Sequence, residues 1–405
     1  MLHDRIAGRR KIGQAKGLPA LPGPIGIARL SLTKPTMQPS VGLESKSDGA
    51  LLYDALEVLG GAELFSLEVA NKLDCPLYVG SCSPLVAKVV SAERNKVYVL
   101  GPNLPKVIKT VIGLIIFFVN RKKFNSKRWL IFSGTNTLAA SWFSSTTKKI
   151  LYCHTPPRFA FDLRGYYLNR MPIGLKALFS IFSRAVAKYY SLSLKNIDVV
   201  IANSKNTADR LLLHCNLAAE VLYPPVATAN YRWSYPEPFF LSMARCEDYK
   251  RVDLIIRAFI GMPDKKLVVI SGGASLKQLT AMAAGHSNID VRGWVSEAEK
   301  CDLLSRCTAT IYVPIDEDFG LSPVESMAAG KPVIGVAEGG LKETVIDGIT
   351  GVLIDSSELS EATLRASVGV FTQEFAAHFR WACEKQACAF DSQRFYSRMR
   401  EVVAI

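Results

Sequence analysis

The sequence lacks the paired cysteines that would staple or metallate a fold: its nine cysteines are scattered, odd in number and never spaced CxxC. Disulfide scaffolds and zinc ribbons are thereby excluded, and a reducing cytoplasm is the expected compartment. Its five histidines form neither HxxxH nor HExxH, so a protein-built metal site is not expected. No GxGxxG follows the first strand-like run of either half, which disfavours a dinucleotide-dependent dehydrogenase. Internal repeats and collagen or coiled-coil periods are missing as well. No apolar stretch reaches the roughly 20 residues that span a bilayer. Acid is absent from one place in particular. Residues 106–128, KVIKTVIGLIIFFVNRKKFNSKR, hold seven Lys/Arg and no Asp or Glu.

What is present is an ordinary globular balance, 49% hydrophobic and 21% charged, which rules out a wholly disordered chain. The length suggests two domains, each able to bury a core unaided. The formal net charge is +13. Most of it is local: residues 1–45 carry a net +5 and residues 106–128 a net +7, so the charge speaks about partners rather than fold. Residues 1–45, with GRRKIGQAKG and PALPGPIG, read as a disordered basic leader without the apolar core of a secretory signal. Met37 is a second candidate start, shortly before the first strand. Within 106–128, the uncharged run Thr110 to Val119 has two readings. One is a core helix or strand with solvated basic flanks; the other is a basic, apolar element resting on an anionic membrane.

Along the chain, apolar runs ending in small or polar residues alternate with helical periods. Gly49 to Tyr53 reads as a buried strand, followed by a Gly60-Gly61 loop and a helix over Ala62 to Leu73. CPLYVGSC, KVYVLG, WLIFSG, KKILYCHT and DVVIANS continue the theme, with a helix at Leu175 to Leu194. A Pro-rich break at residues 223–238 marks a domain boundary. Strands then resume in FFLSMA, KLVVISGG, IDVRGW, ATIYVP, PVIGVAEGG and TGVLID. Helices are expected at Arg251–Phe259, Leu276–Ala284, Glu297–Arg306 and Val324–Ala329. Alternation at this spacing implies parallel sheets with helices on both faces, and ligands at the carboxyl ends of the strands.

The segment Pro314 to Asp355 carries the most chemistry. Glu317 and Glu325 are separated by seven residues. Ser322-Pro323-Val324-Glu325 has capping-box spacing with proline at the first helical position, which sets Glu317 in a loop and Glu325 in a first helical turn. The amides around Gly320 would make a phosphate site at a helix N-terminus. Glu325 either caps its own helix or reaches a ligand. Two carboxylates also suit a glycoside hydrolase, although a loop and a helix start do not establish an opposed pair. Arg245 and Lys250 follow a strand and suit a diphosphate, or form a solvated loop. Gly272-Gly273 permits close backbone approach.

Taken in order, ARCEDYKRVDLIIRAF, SGG, GWVSEAEKCDLLSRC and EDFGLSPVESMAAGKPVIG–GGLKETV resemble a retaining glycosyltransferase of glycosyltransferase family 4. YDALEVLGGAE, YCHTPPRFAFD and VIANSKNTADRL resemble its first-domain landmarks, particularly in bacterial polysaccharide mannosyltransferases. The resemblance implies an α/β GT-B fold, two Rossmann-like parallel-sheet domains facing across a cleft. Residues 48–225 would bind acceptor, residues 238–385 the nucleotide sugar, and a C-terminal helix in 386–405 would return to the first domain. It implies that His154 and Glu317 lie at the reacting sugar. Arg245 and Lys250 would bind the diphosphate. The backbone of Phe319, Gly320 and Leu321 would hold sugar and phosphate oxygens, and Glu325 the ribose. Gly60 and Gly61 would form the loop facing diphosphate and acceptor.

The implied reaction transfers a sugar, mannose from GDP-mannose, to a glycan or lipid-linked acceptor in polysaccharide biosynthesis. No metal or other cofactor is required, and no nucleic-acid partner is expected. The expected location is cytoplasmic and peripheral, on the inner face of the cytoplasmic membrane. A non-catalytic binding subunit and a sugar-nucleotide epimerase are the alternatives.

Overall fold

The computed structural model describes residues 48–57, 60–92, 96–103, 106–143 and 146–404. The leader at residues 1–45, Met37 included, lies outside the described residues. The first half runs β1 (Gly49–Leu56), α1 (Gly61–Lys72), β2 (Leu77–Cys82), α2 (Pro84–Ala92), β3 (Val97–Val99), α3 (Lys106–Asn120), β4 (Trp129–Phe132), β5 (Lys148–Cys153), α4 (Arg164–Arg170), α5 (Ile173–Leu194), β6 (Val199–Ala202), α6 (Lys205–Cys215) and β7 (Glu220–Val221). The second runs β8 (Phe239–Ser242), α7 (Val252–Ile260), β9 (Lys266–Ile270), α8 (Leu276–Ala283), β10 (Ile289–Gly293), α9 (Glu297–Arg306), β11 (Ala309–Tyr312), α10 (Leu321–Ala328), β12 (Val333–Val336), α11 (Leu341–Thr344) and β13 (Gly351–Ile354). Four helices close the chain: α12 (Glu361–Val370), α13 (Gln373–His378), α14 (Arg380–Ala387) and α15 (Ser392–Ala404).

All the strand pairs are parallel, in the orders β3-β2-β1-β4-β5-β6-β7 and β10-β9-β8-β11-β12-β13. The central strands are mostly apolar because helices cover both faces, while β7 and β10 at the sheet edges and the starts of β5 and β9 carry charge. Every residue of β4, β8, β11 and β12 is buried. On one face of the first sheet, Leu51, Val79 and Ile131 pack against Phe65 and Val69 of α1. On the other, Leu52, Phe132 and Leu151 meet Phe117 of α3 and Tyr190 and Leu194 of α5. Helix α15 belongs to the first of these cores, through Phe395, Met399 and Val402.

The chain therefore crosses between sheets twice. Both crossings lie side by side, with Val226 N–H donating to Phe390 O at 3.1 Å and Ser392 N–H to Val226 O at 3.1 Å. In each sheet the order reverses once, between β1 and β4 and between β8 and β11. A crevice opens at the carboxyl ends of strands where such a reversal occurs. The loops after these four strands carry Gly60, Gly134, Arg245 and Glu317.

The 106–128 segment divides its apolar residues. Phe117 is fully buried, whereas Ile115, Phe118 and Val119 face outward. Lys127 is buried and does not belong to the solvated basic flank. No described helix is long and apolar enough to cross a membrane.

Candidate active site

The second reversal point gathers a cation, a phenol and a carboxylate. Lys250 sits in a 3-10 turn after β8. Its Nζ is ion-paired to Glu317 Oε2 and donates to Tyr312 OH at 3.1 Å. The Tyr312 hydroxyl, at the end of β11, donates to Glu317 Oε2 at 2.9 Å. Burial works to lower the Lys250 pKa, but Tyr312 and Glu317 more than offset it and hold the ammonium well above the usual lysine range. Arg245 is half-exposed, with Nη2 3.8 Å from Glu247. One cation is thus fixed and charged, and a second in the same segment after β8 is open to solvent.

Helix α10 begins at Leu321, and its N-cap is Gly320 at φ +90°, a conformation that suits glycine. This corrects the capping-box reading. Ser322 lies inside the helix, where its carbonyl accepts from Ser326 Oγ at 2.8 Å, and no side chain caps the N-terminus. Glu325 does not cap its own helix either. Its Oε1 accepts from Tyr231 OH at 2.9 Å and from Lys300 Nζ at 3.1 Å. The Phe319 side chain is core, packed on Tyr223 and Phe390, so only its backbone is available to a ligand. The uncapped amides of Leu321 and Ser322, with Pro323 next in line and lacking an N–H, form a positive helix end close to Lys250 in the chain topology. Gly273, at φ +155°, lies flat on Cys246; a Cβ there would stand 2.3 Å from Cys246 O.

From the first domain, Gly60 is the N-cap of α1. A Cβ on Gly60 would stand 3.2 Å from Arg245 Nη1, and one on Gly61 would stand 3.0 Å from Leu321 Cδ1. The structure therefore brings the glycine loop against Arg245 and the start of α10. Glu63 and Tyr53 stand behind this loop. Burial raises the Glu63 pKa despite the opposing pull of Tyr53 and Arg245. His154, after β5, bonds through Nε2 to Ser133 Oγ at 2.9 Å and is flanked edge-on by Phe65 and Tyr152. Desolvation pulls its pKa down to about 4, so the imidazole is neutral near pH 7 and offers a hydrogen bond rather than a charge.

The loop bearing Glu317 is gripped from the first domain. Arg158 donates to Asp316 O at 2.9 Å and to Asp316 Oδ2 at 3.0 Å. Arg210 of α6 donates to Asp316 O at 3.0 Å, pairs with Asp316 Oδ2 at 2.7 Å and forms an ion pair with Asp318. Asn206 Nδ2 donates to Glu317 O at 3.0 Å. In return, Glu343 of α11 accepts from the Lys205 and Asn206 amides at 2.7 Å each, placing a carboxylate on the N-terminus of α6. Asp316 is held at φ +44°, an unfavourable conformation for a non-glycine residue. Its amide donates to Glu338 at 2.7 Å, which helps to fix it. Gly339, at φ +54°, packs so tightly on this loop that a Cβ would stand 2.3 Å from Glu317 O. The sequence reading missed Arg158, Arg210, Asn206, Tyr312, Tyr231 and Glu343 as individual site residues. All but Tyr231 and Tyr312 lie within the motifs YCHTPPRFAFD, VIANSKNTADRL and GGLKETV. Among the described residues no group of three or more His, Cys, Asp or Glu side chains is placed to hold a metal ion.

Residues 229–368 match the family of glycosyl transferases group 1. The chain is 25% identical to the alpha-1,3/1,6-mannosyltransferase ALG2 of Candida albicans, over 78% of this chain and 86% of that protein. It is 26% identical to ALG2 of Saccharomyces cerevisiae, over 72% of this chain and 70% of that protein. The fold matches the crystal structure of Anabaena HepE in complex with UDP-glucose with a TM-score of 0.71 at 16% identity, covering 88% of this chain and 99% of that one. It matches sucrose-phosphate synthase from Thermosynechococcus elongatus with a TM-score of 0.70 at 16% identity, over 87% and 97% of the two chains. This chain is a glycosyltransferase with the GT-B fold. The two reversal points of the glycosyltransferase thus face each other across its cleft, Gly60 and Gly61 on one side and Arg245 and Leu321 on the other.

Proposed function

We propose that this glycosyltransferase moves mannose from GDP-mannose to a hydroxyl of a lipid-linked or glycan acceptor in polysaccharide biosynthesis, retaining the anomeric configuration. The observation that carries the reading is the charge arrangement at the second reversal point. Lys250, Arg245 and the uncapped N-terminus of α10 converge where Gly60 and Gly61 bring the first domain close. Mannose is supported by the activity named for the ALG2 relatives, and a nucleoside-diphosphate donor by the ligand named for the HepE structure.

The diphosphate would compete with Glu317 for Lys250, which frees the carboxylate to accept hydrogen bonds from donor-sugar hydroxyls. As the glycosidic bond lengthens, negative charge grows on the leaving diphosphate. Arg245, Lys250 and the α10 amides would stabilise that charge in place. No side chain is assigned as a covalent nucleophile, so the acceptor hydroxyl attacks from the leaving-group face and passes its proton to the departing phosphate oxygen. Neutral His154, oriented by Ser133, would contact a sugar hydroxyl. Glu325 bonds Tyr231 and Lys300 through Oε1, so Oε2 is the oxygen offered to the ribose. Fixed cations meet the diphosphate, and the scheme uses no metal ion. The acceptor-binding half would work at the inner face of the cytoplasmic membrane, consistent with its basic 106–128 segment.

A screen of GDP-mannose against UDP-, dTDP- and ADP-sugars tests the donor, reading both thermal shift and sugar release by the pure protein. Stabilisation and turnover with GDP-mannose are expected. Turnover confined to UDP-sugars would move the donor assignment, and stabilisation without any turnover would count against the transfer scheme.

A further inference from the structure

The helix layer formed by α3 and α5 on one face of the first sheet has an outer side that the described residues leave uncovered. Ile173 is 87% exposed, Leu178 66% and Ile181 65% on α5, and Ile115 55% and Val119 63% on α3. Residues 163–197, spanning α4 and α5, hold six Lys/Arg and no acid, as residues 106–128 hold seven and none. Arg170, Arg184 and Lys188 on the one segment and Lys122 and Lys123 on the other are exposed. Arg121 lies 3.8 Å over the Phe118 ring and Arg170 3.6 Å over the Tyr166 ring, so cations ride directly on the apolar side chains. The two helices belong to one layer: both contribute to the core on this face, and both line a cavity of about 280 Å³, through Ile112 and Ile116 of α3 and Val186 and Tyr189 of α5.

We infer that this α3/α5 face is the surface by which the chain rests on an anionic lipid bilayer. The occupant follows from charge. The leader at residues 1–45 carries a net +5 and would be repelled. A second copy docking the same face would set two acid-free basic surfaces against each other. A bilayer with anionic headgroups is both apolar beneath and negative above, which suits isoleucines and leucines rimmed by lysine and arginine. The inference deepens the membrane reading above and adds α4 and α5, which the sequence pattern did not single out. It also sets the cavity between the two docking helices, next to Asp54 and Glu57 at the end of β1.

The test uses the full chain and flotation with two vesicle types, phosphatidylcholine alone and phosphatidylcholine with phosphatidylglycerol. Binding only to the second, weakened by salt, is expected. Two variants probe the face: Leu178→Ser with Ile181→Ser, and Arg170→Gln with Arg184→Gln and Lys188→Gln. Each removed cation should weaken vesicle binding about fivefold, and the apolar pair should abolish stable attachment. Sugar release from GDP-mannose should be unchanged in both, because none of these residues lies in the proposed donor site. A parent chain that floats with the anionic vesicles but releases no sugar from GDP-mannose would count against the donor reading and not the surface. Equal flotation of both variants and the parent chain would overturn the assignment. So would a parent dimer that the Leu178/Ile181 variant converts to monomer, since that would give the face to a second copy.

Discussion

Replacing Arg210 with alanine should separate the alignment of the proposed donor site from its affinity. The Arg210 side chain is 7% exposed and holds Asp316 and Asp318 from across the cleft. Removing one partner of a buried ion pair leaves an uncompensated charge and costs about 3–5 kcal/mol. Here the lower end applies, because Arg158 still pairs with Asp316. Asp318 bears the loss. Burial already raises its pKa, and the Arg210 guanidinium does most to hold that rise back.

In Arg210→Ala the folded pKa of Asp318 rises further above its unfolded value, so ionising it destabilises the fold. The deficit is absent below the unfolded pKa, grows as pH rises and is complete above the folded pKa. Urea midpoints for the variant and the parent should therefore converge on acidification. Adding Asp318→Asn should restore most of the stability, since it removes the stranded charge. It should not restore turnover, because the loop carrying Glu317 has still lost its grip. A displacement near 1 Å at a reacting centre costs about 10²-fold in rate. We expect kcat for sugar release to fall about 10²-fold in both variants, while GDP affinity changes by less than about threefold, Arg245 and Lys250 being intact. The assay is steady-state turnover alongside calorimetric GDP binding. An unchanged kcat, or GDP affinity falling in step with it, would refute the reasoning.

Arg245→Ala and Lys250→Ala should each cost about 1.5–3 kcal/mol of GDP binding and leave guanosine binding nearly unchanged, which paired titrations would check. Gly60→Ala would push a Cβ toward Arg245 Nη1 at 3.2 Å and Glu63 Oε2 at 2.8 Å, so the donor KM should rise severalfold in initial-rate assays. His154 has a folded pKa of about 4, below its unfolded value, so the fold loses stability as pH falls from about 6.5 to 4. His154→Gln should flatten that part of a urea-midpoint profile against pH. A chain begun at Met37 should fold and turn over normally, as circular dichroism and sugar release would show.

The sheets were legible because strands buried on both faces read as unbroken apolar runs, WLIF and ATIY among them. Their order was not, since parallel pairing joins segments with no pattern in common. Helix α6 carried a local signal, Ser204 accepting from Thr207 N–H at 3.0 Å, within the NSKNT run. The SPVE spacing misled for a physical reason. The chain turns at Gly320 in a conformation that suits glycine, so the helix starts two residues earlier than a serine cap would set it. Glu317, Lys250 and Arg245 could be found because each follows a strand within one short segment. Arg210 and Asp318, 108 residues apart, could be joined only by the fold.

Contacts spread across the cleft in this way make the two halves cooperate. The proposed donor groups come from the second domain, but the loop carrying Glu317 is shaped from both. Its backbone bends at Asp316, its carbonyls are held by Arg158, Arg210 and Asn206, and its carboxylate waits on Lys250. Glu343 returns the contact by capping α6. Separating the domains would expose Asp318 and remove the Arg158, Arg210 and Asn206 bonds to the loop together, leaving Glu338, Lys250 and Tyr312 to hold it from one side. On the proposed assignment of acceptor to the first domain and donor sugar to the second, transfer and sugar alignment would depend on the same contacts. On that proposal a donor bound to a separated pair of domains would find Arg245 and Lys250 but a Glu317 loop braced from one side only, which would favour binding before chemistry and limit loss of the sugar to water.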